Sequence, residues 1–165
     1  MAMPMNNDWN ALEMAKKRNH KIMITDEAIN KIPRVKYKDI PEIEYDNLWE
    51  LAKNVLKISK EENDSNEVAI TYSLDSAKLI EQGERYIGVA LGSEHDVDPL
   101  SDTTAYHLVS STEKCVVIVL HNHPSLSDFS LTDVQFLLKY DNVKMMVVVT
   151  NLGSISYLVK GKKYD

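Results

Sequence analysis

The sequence predicts an α/β domain preceded by an extended N-terminal arm, and three patterns indicate it. From Asp46 onward, apolar side chains recur at helical intervals, which predicts a helix. Residues 115–120 form an unbroken apolar run rich in β-branched side chains, short enough for a strand that is buried on both faces. Residues 145–150 and 155–159 are separated by Asn-Leu-Gly-Ser, which predicts a closing hairpin.

Length, charge and cysteine content narrow the class of protein. The chain has 165 residues, which suits one domain of ordinary size with an extra segment. A net charge of -6 and a pI near 5.4 argue against a dedicated nucleic-acid binder, because phosphate neutralisation needs a basic face. The single cysteine excludes a multi-cysteine zinc site and fits a reducing compartment. With no membrane-length apolar run and no secretion signal, we expect a cytoplasmic protein.

The elements follow from the amino terminus. Residues 1–45 are predicted to form the arm, with helical pieces around 9–16 and 25–32 and an extended, proline-punctuated stretch at 33–41. Its apolar side chains should pack along the main domain or against a partner. The compact domain is predicted to span residues 46–165. Its first helix should run to about Lys60, with Asn47 and Glu50 at the spacing of a capping box.

The middle of the chain predicts strands and two more helices. Strand-like segments at 68–74, 78–81 and 86–91 indicate a meander. Pro99 then falls in the first turn of a second helix. A third helix is expected from Leu131 to Leu138.

Two histidines and an aspartate form the pattern that carries chemistry. In a strand, residues two apart project to one face, so His121 and His123 can direct both imidazoles to one point. Asp133 lies in the first turn of the following helix, and the loop before it is long enough to fold that turn back over the histidines. Three protein ligands with a fourth position open to water are typical of catalytic zinc. Such a water has its pKa lowered toward about 7.

Two further roles stay open on the residues alone. Ser130 with Asp133 three positions later is a good helix N-cap, and the Ser130 hydroxyl can also face the bound water or a developing oxyanion. Hydrolysis needs a general base, and a carboxylate suits that role. Composition does not choose among the acidic candidates Glu61, Glu62, Glu67, Glu84, Glu94 and Glu113.

The segment His121-Asn122-His123-Pro124-Ser125, with Ser130 and Asp133 after it, resembles a known signature. This is the His-x-His, seven residues, Ser-x-x-Asp motif of the JAMM/MPN+ (JAB domain) zinc metalloproteases. The residues His-Asn-His-Pro-Ser are most similar to the motif of the RadC-like and phage-associated bacterial branch. The predicted order of helices and strands is similar to that of the family from about residue 46 to 159. One departure is that six residues, 124–129, separate His123 from Ser130.

The resemblance implies a fold, a cofactor and a site. The fold would be the MPN (JAB) fold, a central mixed β-sheet flanked by helices. Zn²⁺ would be held by His121, His123 and Asp133. Glu67, at the start of the first strand after the first helix, would be the general base, and Ser130 would stabilise the oxyanion.

The implied activity is that of a zinc-dependent hydrolase, an isopeptidase-type metalloprotease that cleaves a peptide or isopeptide (amide) bond. Its substrate would be a protein or peptide, for example a ubiquitin-like conjugate. Two alternatives remain: a catalytically weak or inactive MPN scaffold or binding module, and a RadC-like protein with a DNA-associated role. The acidic balance of the chain disfavours the second alternative.

Overall fold

A five-stranded mixed sheet lies at the centre of the computed structural model, which describes residues 20–111 and 114–161. The strands are β1 (Val68–Ser73), β2 (Ile87–Leu91), β3 (Val117–His123), β4 (Val143–Thr150) and β5 (Ile155–Val159). Their order in the sheet is β2-β1-β3-β4-β5. β3 and β4 are parallel, and the other neighbours pair antiparallel. The expected α/β class, with a mixed sheet flanked by helices, is confirmed.

Five α-helices occur in the described ranges. They are α1 (Asp26–Asn30), α2 (Tyr45–Glu62), α3 (Ser76–Glu81), α4 (Thr103–Val109) and α5 (Leu131–Lys139). Short 3-10 helices at Glu42–Glu44 and Pro99–Ser101 precede α2 and α4. None of these helices is long and apolar enough to cross a membrane.

The central strand β3 divides the core into two layers, since its side chains alternate between the two faces. Ile118 and Leu120 pack with the apolar face of α2. Val117 and Val119 pack in a second cluster with side chains of α4 and α5. All seven residues of β3 are buried. The alternation continues to the end of β3. His121 and His123 therefore project into the layer with Val117 and Val119, and Asn122 projects into the layer with Ile118 and Leu120.

The arm packs against the main domain within the described residues. Ile24, Ile29, Ile32, Tyr37 and Ile40 are buried in the same cluster as the apolar face of α2. The predicted packing of the proline-punctuated stretch is confirmed for Tyr37 and Ile40, and Val35 and Tyr45 pack against the same cluster. It is wrong for Ile43, which is 90% exposed. The helical piece predicted around residues 9–16 lies outside the described residues.

Four local predictions are wrong. Pro99 lies in the 3-10 helix Pro99–Ser101 rather than in the first turn of α4. Residues 78–81 belong to α3 rather than to a strand, so β1 and β2 form an antiparallel pair joined through a helix. The capping box of Asn47 and Glu50 is absent, because α2 continues directly from a 3-10 helix and begins at Tyr45, so no extended residue precedes it. The strand predicted at 115–120 spans Val117–His123 instead, so the histidines lie within it.

Candidate metal centre

The histidines lie side by side at the carboxyl end of β3. His121 Nε2 and His123 Nε2 are 3.1 Å apart. The two residues are only 2% and 6% exposed. Because they sit two positions apart in a strand, both rings project into the layer that contains α5. The predicted convergence of two imidazoles on one point is observed.

Asp133, in the first turn of α5, completes the convergence. Its Oδ1 lies 3.1 Å from His121 Nε2, and its Oδ2 lies 3.2 Å from His123 Nε2. Tetrahedral zinc with ligand bonds of about 2.0–2.1 Å separates its ligand atoms by about 3.3 Å. The three contacts are close to this separation, although the two histidines contact different oxygens of the Asp133 carboxylate. The shortened loop before α5 does not prevent Asp133 from reaching the histidines.

Hydrogen bonding fixes which ring nitrogens face this point. His123 Nδ1 lies 3.0 Å from the carbonyl oxygen of Ser127, to which it can donate, and in the neutral ring this leaves the lone pair on Nε2; a protonated ring donates from Nε2 to Asp133 instead. Metal-binding histidines commonly have such a bond on the other ring nitrogen. His121 Nδ1 is buried and has no hydrogen-bond partner in the described part of the chain. The polar contacts of the His121 ring thus run through Nε2, toward His123 and Asp133.

Ser130 caps α5 and orients Asp133. Its Oγ accepts a hydrogen bond from the Asp133 backbone N–H at 3.1 Å, and its own N–H donates to Asp133 Oδ2 at 3.0 Å. The predicted N-cap is confirmed as a complete capping box. The hydroxyl proton of Ser130 remains able to donate to another group, so its role toward an oxyanion stays a prediction.

Glu67 reaches the same centre from the neighbouring strand. It comes directly before β1, and the antiparallel register, in which Ala69 is opposite His121, puts it opposite His123. Glu67 is 7% exposed. One carboxylate oxygen and one nitrogen from each histidine all lie within 4.8 Å of one another, so this buried group could also hold a metal ion. Of the competing glutamates, Glu61, Glu62, Glu84 and Glu94 are not buried, and Glu113 lies outside the described residues.

A left-handed turn aims Glu67 into the site. Asp64 and Ser65 have φ values of 53° and 61°, a conformation that costs a non-glycine residue about 1 kcal/mol. Hydrogen bonds hold the turn in place: Ser65 N–H donates to the Ser59 carbonyl at 2.9 Å, and Ile24 N–H donates to Ser65 Oγ at 3.0 Å. Unfavourable backbone conformations held by their surroundings are typical of functional sites.

The buried charges perturb one another strongly. Burial raises the pKa of Glu67 to about 8, with the Asp133 and Asp96 carboxylates adding to the rise and His123 opposing it. Burial acts to raise the pKa of Asp133, but hydrogen bonds from His121 and His123 outweigh it and hold that pKa well below its usual range. Burial acts to lower the pKa of His123, but Asp133 and the Ser127 carbonyl outweigh it and raise that pKa. The centre favours positive charge between Asp133 and the histidines.

A cleft of about 390 Å³ opens onto these residues. It is lined by Glu67, His95, Asp96, Val97, His123, Pro124, Ser125, Ser127, Ser130, Thr132 and Asp133. None of these lining residues is lysine or arginine. One wall is the loop after β2, which turns sharply at Gly92, where a Cβ would lie 2.2 Å from the Asp96 carbonyl oxygen. The cleft therefore presents acceptors and negative charge to a ligand.

Four of the five predicted site residues line this cleft, and the fifth, His121, contacts His123 and Asp133 beside it. The structure also adds residues that the sequence did not single out. His95 and Asp96 line the cleft from the loop after β2. Asn122 lies on the opposite face of β3, and a signal for it existed, since a buried strand amide requires partners. Comparison of the chain with protein-family models, with curated proteins and with solved structures gave no match. The chemistry of this centre is therefore the ground for assigning a function.

Proposed function

We propose that the chain is a zinc-dependent hydrolase of the JAMM/MPN+ type that cleaves a peptide or isopeptide bond. The observation that carries the proposal is the meeting of His121, His123 and Asp133 at 3.1–3.2 Å beside the buried Glu67. Two imidazoles and a carboxylate are a donor set that zinc accepts, and a fourth position stays free for water. Glu67 is then available as the base rather than as a ligand.

The side chains have distinct roles in this proposal. Zinc, when bound, supplies a Lewis acid that lowers the pKa of a water toward about 7 and polarises the amide carbonyl. Glu67 accepts the proton of the attacking water at its carboxylate and delivers it to the nitrogen of the leaving amine. Burial raises the pKa of Glu67 in the metal-free chain, and a cation between the histidines and Asp133 would favour the ionised carboxylate that a base requires. Ser130 Oγ–H donates to the carbonyl oxygen as negative charge develops there.

The cleft supports a protein or peptide substrate over a nucleic acid. Phosphate backbones are bound by lysine, arginine and backbone N–H groups. The cleft is lined instead by the carboxylates Glu67, Asp96 and Asp133, with no basic side chain other than histidine among its lining residues. A neutral amide, or a lysine-linked isopeptide with a cationic flank, fits this lining better than a polyanion does.

Metal content is the first test. Protein purified without chelator should contain close to one zinc per chain by elemental analysis. The double variant His121→Ala/His123→Ala should contain less than about a tenth of that amount, because two of the three ligands are gone. A wild-type protein that takes up no zinc under these conditions refutes the proposal.

The second test separates metal binding from hydrolysis. Glu67→Gln should retain zinc and lose at least about 10²-fold in the hydrolysis of fluorogenic peptide amides and lysine-linked isopeptide conjugates, since the amide cannot accept the proton. Glu84→Gln, at an exposed position, is the matched control and should keep the wild-type rate. Zinc in the wild type without hydrolysis of any of these probes would favour the alternative of an MPN binding module.

A further inference from the structure

A single buried amide brackets Glu67. Asn122 Oδ1 accepts a hydrogen bond from the Val68 backbone N–H at 2.7 Å, and Asn122 Nδ2 donates to the Asn66 carbonyl oxygen at 3.1 Å. Residues 66 and 68 are the two neighbours of Glu67 in the chain. The side chain between the two histidines therefore holds the backbone on both sides of the proposed base.

These bonds form where regular strand pairing ends. The last pair between β1 and β3 is Ala69 with His121, so Glu67 lies beyond the ladder. On its other side, Glu67 N–H donates to the Ser93 carbonyl at 2.9 Å, and its carbonyl accepts from Gly92 N–H at 2.8 Å. Those bonds tie Glu67 to the loop after β2, which contains neither His121 nor His123. The Asn122 amide supplies the direct link from this segment to the histidine strand.

The orientation of this amide is fixed by its surroundings. Asn122 is 0% exposed, and its Nδ2 also donates to Asn151 Oδ1 at 2.8 Å. Asn151 Nδ2 in turn donates to the carbonyl oxygens of Ile22 at 2.7 Å and Ser65 at 2.9 Å. Reversing the Asn122 amide would set its NH₂ group against the Val68 N–H. The bracket on Glu67 is thus held by partners from the arm, from the turn before β1 and from the turn after β4.

We propose that Asn122 is a positioning residue that holds Glu67 at its working distance from the histidine pair. Three consecutive residues of β3 then have roles on opposite faces of the sheet. His121 and His123 project toward the proposed zinc site, and Asn122 projects to the other face, where it holds the backbone on both sides of Glu67. The inference rests on the proposed function for its catalytic consequence. The hydrogen-bonded bracket itself can be measured without any substrate.

The test compares two buried asparagines. Asn142, 7% exposed, donates from Nδ2 to the carbonyls of Val109 and Ser111 near the opposite end of the sheet, so Asn142→Ala removes a comparable amide far from the site. Asn122→Ala should retain close to one zinc per chain and lose at least about tenfold in hydrolysis of the fluorogenic peptide amides. Asn142→Ala should keep the wild-type rate. In a Glu67→Gln background, adding Asn122→Ala should change the residual rate less than about twofold, because both act through one group.

Amide hydrogen exchange provides a readout that is independent of activity. In the wild type, Val68 N–H should exchange as slowly as Ala69 N–H, although Val68 lies beyond the last residue pair between β1 and β3. Asn122→Ala should speed exchange at Val68 at least tenfold, and Asn142→Ala should not. If Asn122→Ala fails to fold, the wild-type comparison still decides, since rapid exchange at Val68 overturns the bracket.

The outcomes separate the two proposals. A wild-type rate in Asn122→Ala, with activity lost in Glu67→Gln, refutes the positioning role and leaves the proposed function intact. Missing zinc, or full activity in Glu67→Gln, refutes the proposed function. The exchange at Val68 then still reports whether the bracket exists.

Discussion

The two faces of the sheet at the end of β3 carry opposite kinds of polar chemistry. On one face, His121, His123, Asp133 and Glu67 bring ring nitrogens and carboxylate oxygens together, and His121 Nδ1 has no hydrogen-bond partner in the described part of the chain. On the other face, both polar atoms of the Asn122 side chain and both of Asn151 have partners. The two histidines, Glu67, Asn122 and Asn151 are buried, and the Asp133 side chain is 14% exposed. Polar groups that all have hydrogen-bond partners make the asparagine face rigid. Converging nitrogen and oxygen atoms on the histidine face favour a bound cation. We therefore expect the first face to support the structure and the second to carry the reaction.

Breaking the satisfied face should have the largest effect on stability. Asn151→Ala removes donors from the carbonyls of Ile22 and Ser65 and the acceptor of Asn122, all in buried surroundings. We expect a loss of about 3–5 kcal/mol in the free energy of unfolding, measured by urea denaturation of chelator-treated protein. Asn30→Ala, at an exposed position, is the control and should change it by less than about 0.5 kcal/mol. A loss below about 1 kcal/mol for Asn151→Ala would show that the hydrogen bonds of Asn151 are not needed to stabilise this face.

The pH dependence of the free energy of unfolding tests whether Glu67 is buried with a raised pKa on the histidine face. Burial raises the pKa of Glu67 from 4.5 to about 8, so the folded metal-free protein holds a proton there that the unfolded chain has released. This contribution to stability is fully present below pH 4.5 and is lost as the pH rises toward 8. Relative to Glu67→Gln, the wild type should therefore lose on the order of 3 kcal/mol between pH 5 and pH 8.

The measurement is urea denaturation of both chelator-treated proteins at each pH. At pH 5 the wild type still retains most of the contribution of Glu67, which provides an internal reference for the substitution itself. Equal pH dependence of the two proteins would show that Glu67 is not desolvated in the folded state.

Substitution of Ser130 should have the smallest effect on the free energy of unfolding, and it separates the role of Ser130 as a helix cap from its proposed role in the reaction. Ser130→Ala removes the oxygen that accepts the Asp133 N–H, which should cost about 1 kcal/mol in the free energy of unfolding. Ser130→Thr keeps a hydroxyl and should lose less. If the hydroxyl also assists the reaction, Ser130→Ala should lower kcat about 10²-fold while Ser130→Thr retains most of it. Equal rates in the two variants would leave Ser130 with the cap alone.

Predictability differed between elements for physical reasons. Strand β3, helix α5 and the β4–β5 hairpin were predicted because each has a strong pattern of its own within a few residues. The strand predicted at residues 78–81 was wrong because a segment of four residues is too short to distinguish the period of a strand from that of a helix. These residues belong to α3, which is not part of the sheet. The start of α2 was predicted to within one residue, but the capping box was wrong because a 3-10 helix leads directly into α2, which the capping pattern cannot reveal.

The predicted site depended on both local and distant effects. The shared face of His121 and His123, and the cap that joins Ser130 to Asp133, follow from backbone geometry within a strand and a helix turn, so the residues alone determine them. The position of Glu67 and its bracket were decided by tertiary structure. Val68 and Asn122 lie 54 positions apart, and their contact requires β1 to pair with β3 and a left-handed turn to precede β1. Such pairing depends on packing across the whole core, which no local pattern specifies.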